Sequence, residues 1–174
     1  MYAQFEPAIR TRDDAAQRLD AAAATPEFAG GYLLGQLGHD RFAVLTLATD
    51  RGAYVVEDEW AGHDPDAVPQ AAAVIWFDGP LAQPVLDAAR YGGEHRLTPA
   101  IQATPGTVRG FALFDPDRRA VCVLNLVTSL DVLDDLAQAA NRTELLPGED
   151  PALLPGPDRA ETYRVLSLSA VSVA

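Results

Sequence analysis

The chain has 174 residues, 48% of them apolar, which suffices for one buried core, and 13 basic against 25 acidic residues give a formal net charge of −12. So acidic a surface repels phosphate backbones and anionic lipid, and no apolar run is long enough to span a bilayer, so neither nucleic acid nor membrane is expected as a partner. A single cysteine, Cys122, excludes an internal disulfide, and the first residues lack the basic and apolar regions of a leader, so the cytoplasm is the expected location.

Tyr2 to Ile9 reads as a short strand. Arg12 to Ala24 reads as a helix, with Asp13 and Asp14 in the first turn, where the macrodipole favours anions, and an apolar stripe of Ala15, Leu19, Ala22 and Ala23. Pro26 ends it. Tyr32–Leu37 and Phe42–Thr49 form a hairpin about the turn Gly38-His39-Asp40-Arg41. Ala53 to Trp60 suits either a strand or a helix of barely two turns; the β-branched pair Val55-Val56 favours the strand. Residues 63–70, polar and with two prolines, form a linker.

Ala71 to Phe77, AAAVIWF, is a strand apolar on both faces, and Leu81 to Ala103 is mainly helical, with a kink or a break expected at Gly92-Gly93 and Pro99. A second hairpin joins Val108–Phe114 to Ala120–Thr128. A short helix follows from Asp131 to Ala140, with Ser129 or Asp131 as its expected N-cap. Residues 143–160 form an irregular arm that suits a lid over a barrel mouth, a clasp between subunits or a cover on the helices, and Glu161 to Ser172 is the last strand.

The stretch from Thr25 to Asp50 is written again from Thr104 to Ser129. Without a gap, the two share Thr25/Thr104, Pro26/Pro105, Gly31/Gly110, Leu34/Leu113, Val44/Val123, Leu45/Leu124, Leu47/Leu126 and Thr49/Thr128, with Tyr32/Phe111 a near match. A fixed offset carrying matched apolar positions marks a duplicated unit. Each copy runs strand, helix, hairpin, strand, the order of a ferredoxin-like unit whose bare sheet face must be covered. The expected fold is therefore α+β: two tandem ferredoxin-like repeats, 1–62 and 71–174, packed sheet to sheet as a pseudo-twofold barrel of eight strands.

On these motifs, the Thr-Pro-x-x-x-x-Gly of Thr25, Pro26 and Gly31 and of Thr104, Pro105 and Gly110 with the hairpins that follow, the chain resembles the dimeric α/β-barrel superfamily. Within it, the resemblance is to tandem antibiotic-biosynthesis-monooxygenase-like domains. The resemblance implies a cofactor-independent oxygenase that holds a small aromatic or polyketide-type substrate in a dry pocket, or a non-catalytic binding module of the same fold. Members with that chemistry combine Asn, Trp and His or Arg in one cavity. A haem-degrading branch would need an axial histidine, for which His95 is the candidate.

Alternation along the hairpin strands puts Leu45, Leu47, Leu124 and Leu126 on one face, read as the helix side, and Thr46 and Asn125 on the other, read as the barrel interior. There Asn125 either binds a ligand or bonds a polar neighbour, since a buried amide needs partners. Trp76 reads as an aromatic platform beside Asn125 or as a core filler; Tyr32 and Phe111 would line the same cavity. His95, four residues after Tyr91, reads as an acid/base group or as a surface histidine near a helix kink. His39 and His63 fall in a turn and the linker. No metal-ligand spacing, phosphate loop or nucleotide motif occurs, so the expected partner is a small apolar molecule, bound by a monomer or homodimer without cofactor.

Overall fold

A computed structural model describes residues 1–169. Its elements are β1 (Tyr2–Ile9), α1 (Arg12–Ala23), β2 (Phe28–Gln36), β3 (Phe42–Ala48), β4 (Tyr54–Ala61), β5 (Ala71–Phe77), α2 (Gln83–Gly92), a π-helical turn (Gly93–Leu97), α3 (Thr98–Gln102), β6 (Thr107–Asp115), β7 (Ala120–Val127), α4 (Asp131–Arg142) and β8 (Arg159–Ser169). The eight strands close into one barrel in the order β1-β3-β2-β8-β5-β7-β6-β4, with every strand pair antiparallel. The ambiguous octet is thus a strand. Residues 170–172 of the expected last strand lie outside the described residues.

The matched threonines and glycines of the doubled motif make corresponding contacts in the two copies. Thr25 Oγ1 donates to Ala22 O at 2.8 Å and Thr104 Oγ1 to Ala100 O at 2.9 Å, each satisfying a carbonyl of a helix's last turn before the proline stops it. Thr49 N and Thr128 N donate to Glu27 O and Gly106 O, tying each hairpin back to its start. β2 and β6 carry bulges at equivalent places, Phe28/Gly30 and Thr107/Arg109. Gly31 and Gly110 leave room for a neighbour to lie on the strand: a Cβ on Gly31 would come 2.6 Å from Leu19 of α1, and one on Gly110 would come 2.1 Å from the Trp60 indole.

The facing of the hairpin strands is the reverse of the sequence reading. Leu45, Leu47, Leu124 and Leu126 point into the barrel with Phe5, Leu34, Val74, Trp76, Phe111, Leu113 and Tyr163. Val44 instead packs outward with Ala15 and Leu19 of α1, and Val123 and Val127 pack with Ile101 of α3 and Leu136 of α4. Thr46 and Asn125, one residue from each Leu, therefore lie on the helix side. Alternation separates two faces but does not say which is inward. Here the leucines of both hairpins fill the closed interior, while the valines between them meet the helices on the outer face.

α1 begins as expected, with Thr11 Oγ1 accepting from Asp14 N at 3.1 Å. α4 does not: Leu130 occupies its N-cap and no side chain caps it, so neither Ser129 nor Asp131 has that role. The glycine pair and Pro99 do not break the second helix either; a π turn absorbs them and the run continues to Gln102. Residues 143–158 lie against this run. Arg96 Nε donates to Glu149 Oε2 at 2.9 Å, both side chains are nearly inaccessible, and Leu146 N donates to the same carboxylate at 2.5 Å. Gly92 makes the approach feasible, since a Cβ there would meet Glu149 at 2.4 Å. The arm is a cover on the helices, fastened by one buried ion pair.

Two outcomes follow from this packing. Gly31→Ala should cost about 1–3 kcal/mol in chemical denaturation, because the added methyl meets Leu19 and the Leu45 carbonyl; unchanged stability would contradict the close approach. Burial opposes ionisation of Glu149, but the Leu146 amide and Arg96 together hold its carboxyl below the ordinary value of 4.5. The stabilisation it gives is complete above that value and is lost as pH falls through the lower folded one. Protease cleavage of the arm should then rise below about pH 4.5, and Glu149→Gln should remove that pH dependence; an arm equally resistant across the range would refute the clasp.

Candidate functional site

The barrel interior holds Trp76, Tyr32 and Phe111, as the sequence suggests, but as filled core. Phe5 meets Trp76 edge-on at 5.3 Å between centroids, and Trp76 Nε1 donates to Glu161 Oε2 at 3.3 Å. Tyr163 OH donates to the same oxygen at 2.6 Å, and Arg159 reaches the other at 3.2 Å while lying over the Trp76 ring at 4.2 Å. Burial and the Glu161 carboxylate push the Tyr163 phenol well above its ordinary range. Burial likewise pushes up the Cys122 thiol, which is inert in this core. With every polar atom of the Trp76, Tyr163 and Glu161 cluster engaged, the network is a fastening of the barrel. A cavity of about 440 Å³ remains at this mouth, lined by Tyr54, Trp76, Asp115, Arg118 and Arg159 among others.

Tyr32 and Phe111 stand elsewhere in the interior, where the Arg109 guanidinium lies 5.1 Å over the Phe111 ring and is ion-paired with Glu59. Burial raises the Tyr32 phenol against the opposing pull of Arg109. Both are buried, Tyr32 at 6% and Phe111 at 0% exposure.

The helix side of the second half is different. Cross-strand pairing sets Trp60 of β4 beside Gly110 of β6, and Gly110 beside Asn125 of β7, so the three form one row on the outer face. The Trp60 indole lies on the bare backbone of Gly110, with its Nε1 at 2.3 Å from where a Cβ would be. Around the row pack Ile101 of α3 and Val132, Leu133 and Leu136 of α4. Asn125 is 2% exposed, Trp60 6%. Asn125 Nδ2, Asn125 Oδ1 and Trp60 Nε1 are buried without a hydrogen-bond partner among the described residues. Each orphaned group costs about 1–3 kcal/mol, so three together oppose folding by several, a cost that a polar ligand in the layer would offset.

Asn125 is thus brought to a tryptophan, but to Trp60 and not to Trp76, which occupies the opposite face of the sheet. Trp60 escaped the sequence reading because its octet was ambiguous between strand and helix. An alignment of Tyr54 with Tyr163 carries the signal: at that offset Trp60 matches Ser169, and the structure sets Trp60 opposite Gly110 as it sets Ser169 opposite Gly31. Thr46, the counterpart of Asn125, lies beside Gly31 on the outer face covered by α1. His95 is not in the row: it sits on the π turn, half exposed, stacked at 4.7 Å on Tyr91 and 3.7 Å from Glu94. A haem in this layer would need an axial donor directed into it, and His95 faces solvent and Tyr91 instead. The residues do not fit that group, and no group of His, Cys, Asp and Glu suited to a metal occurs among the described residues.

No protein-family model matches the chain, and no curated protein does. Solved structures do match in fold. An uncharacterised ferredoxin-fold protein from Listeria monocytogenes, described as related to antibiotic biosynthesis monooxygenases, superposes with a TM-score of 0.61 at 10% identity, over 95% of this chain and 94% of that one. A haem-degrading enzyme from Listeria monocytogenes gives 0.56 at 10% identity over 94% and 98%. An anthrone oxidase-like protein gives 0.59 at 9% identity over 98% and 93%. This chain has the dimeric α/β-barrel fold of the antibiotic-biosynthesis-monooxygenase-like proteins, closed within one polypeptide.

Proposed function

We propose that residues 1–62 and 71–174 are two ferredoxin-like repeats of one oxygenase-type barrel. Its site is the sheet–helix layer around Asn125 and Trp60, and its substrate is a small planar aromatic or polyketide-type molecule. The orphaned Asn125 amide beside the orphaned Trp60 N–H carries this reading. The likeness to an anthrone oxidase-like structure supports the substrate class.

The chemistry needs little from the protein beyond placement. An aromatic ketone with an adjacent benzylic methylene enolises, its ring oxygen becoming an oxyanion. Asn125 Nδ2 and Trp60 Nε1 donate to that oxygen and favour the electron-rich form, while Asn125 Oδ1 accepts from a neighbouring substrate hydroxyl. The apolar side chains of α3 and α4 exclude water, which strengthens both bonds. Dioxygen is the oxidant: one atom becomes the new ketone oxygen, the other leaves as water with the two methylene protons. No cofactor enters the balance. His95, turned to solvent, takes no part, and that absence of a nearby acid/base group favours a second reading in which the same layer binds its ligand without turnover.

Anthrone under air is the direct assay. Anthraquinone formation with matching oxygen uptake above the uncatalysed rate is expected. Asn125→Ala should lower the enzymatic rate about 100-fold, and Trp60→Phe, which keeps the shape and loses the N–H, about 10-fold. Binding of anthrone that Asn125→Ala weakens, with no oxygen uptake, would establish the binding module. Neither binding nor turnover would remove both readings.

A further inference from the structure

The cavity of about 440 Å³ at the barrel mouth has no part in the layer around Asn125, which lies on the other face of the sheet. Its rim is two turns, Asp78-Gly79-Pro80 after β5 and Asp115 to Arg118 at the end of β6. They are fastened together. Leu81 N donates to Arg119 O and Arg119 Nε donates to Leu81 O, each at 2.9 Å, and a Cβ on Gly79 would collide with Arg118 O. The rim is therefore formed before anything enters it.

One oxygen of Asp115 shapes its turn: Oδ1 accepts from Asp117 N and Arg118 N at 3.0 Å each. Oδ2 accepts no hydrogen bond among the described residues, and Arg118 Nε, on a side chain that is 80% exposed, stays 3.9 Å away. Yet Asp115 is only 8% exposed. Tyr54 of β4 stands beside it, since Val55 pairs with Phe114 and the next position along is Tyr54 against Asp115. Tyr54 is 9% exposed, and its hydroxyl has no hydrogen bond among the described residues. Burial raises the Tyr54 phenol, Cys122 and Asp115 raise it further, and Arg118 and Arg159 oppose them. Asp115, Arg118 and Arg159 all line the cavity, so the hydroxyl is directed into it.

The ligand's charge follows from what the lining leaves over. Three carboxylates, Asp78, Asp115 and Asp117, stand against two guanidinium groups, Arg118 and Arg159. Arg159 is committed to Glu161 at 3.2 Å and Asp78 at 3.7 Å, and it lies over Trp76. An anion would meet excess negative charge, and a neutral group would leave the buried carboxylate without a charged partner. An ammonium answers both Asp115 Oδ2 and the hydroxyl oxygen. Carboxylates on a rim would not make a site by themselves. The buried, unpartnered Tyr54 hydroxyl does.

We propose that the barrel mouth is a second binding site, for a primary amine whose ammonium donates to Asp115 Oδ2 and the Tyr54 hydroxyl oxygen while its apolar body lies against Pro80, Ala120 and Val121. It is independent of the function proposed for the Asn125 layer.

Benzylamine, benzyl alcohol and benzoate, alike in body and different in charge, test it when titrated into the intact protein and followed by two-dimensional amide NMR. Benzylamine should bind about tenfold or more tightly than benzyl alcohol, and benzoate more weakly than either. The shifts should centre on the Asp117 and Arg118 amides and the Trp76 indole, and leave the Trp60 indole unmoved. Asp115→Asn, which keeps an oxygen for the turn, should remove most of the preference for the amine. Asp66→Asn, the same charge change in the linker between the end of β4 and the start of β5, at the other end of the barrel, should not. Tyr54→Phe, which keeps the ring, should weaken benzylamine about three- to tenfold, and Arg118→Gln, which removes a competing cation, should strengthen it. These two decide by themselves if Asp115→Asn disturbs the turn: unchanged affinity in both overturns the proposal. So does an alcohol or a benzoate that binds as well as the amine, an equal effect of Asp115→Asn and Asp66→Asn, shifts away from the mouth, or no benzylamine binding up to about 10 mM.

Discussion

Closure of the barrel is the constraint on which the rest depends. β4 pairs with β1 of its own half for two residues only and with β6 of the other half along its length, while β8 bridges β5 and β2. Each half thereby supplies the strand that seals the other, and no edge is left exposed. A closed sheet of eight strands has an interior that side chains must fill, so its inward rows carry Phe5, Trp76, Phe111, Tyr163 and the leucines at close to zero exposure. The interior is packed with large side chains, and the outer face is covered by the helices.

That outer face is built to one plan and covered in two ways. Gly31 and Gly110 each bare a strip of backbone. In the first half Leu19 of α1 fills the strip, and Thr46 is the polar residue beside it. In the second half Trp60 fills it, Asn125 replaces Thr46 alongside, and α4 is added over the top with no counterpart after β3. An indole N–H and a carboxamide thereby enter a layer where neither has a partner among the described residues.

Polar groups inside the molecule fall into two kinds. The Glu161 carboxylate takes bonds from Trp76, Tyr163 and Arg159, and Glu149 takes them from Arg96 and Leu146; both are complete, and both hold one segment to another. Asn125 and Trp60 are incomplete. In a chain that satisfies the buried carboxylates of its core and its arm, the incomplete pair marks where something other than the protein is expected.

The amino-acid sequence by itself determined the repeat, the element order, the barrel of ferredoxin-like halves and Asn125 as a polar residue in an apolar strand. These are local or periodic properties: Thr-Pro stops a helix wherever it occurs, and a fixed offset survives any folding. Which face of the hairpins turned inward was decided by the tertiary structure, because Val-Leu-Thr-Leu and Val-Leu-Asn-Leu carry apolar residues on both faces and only closure assigns the leucines to the inside. That decision moved Thr46 and Asn125 from the barrel to the helix side and parted Asn125 from Trp76. The choice of Trp60 as its neighbour depended on β4 crossing to the other half of the barrel, a pairing between residues 50 positions apart that no local pattern encodes.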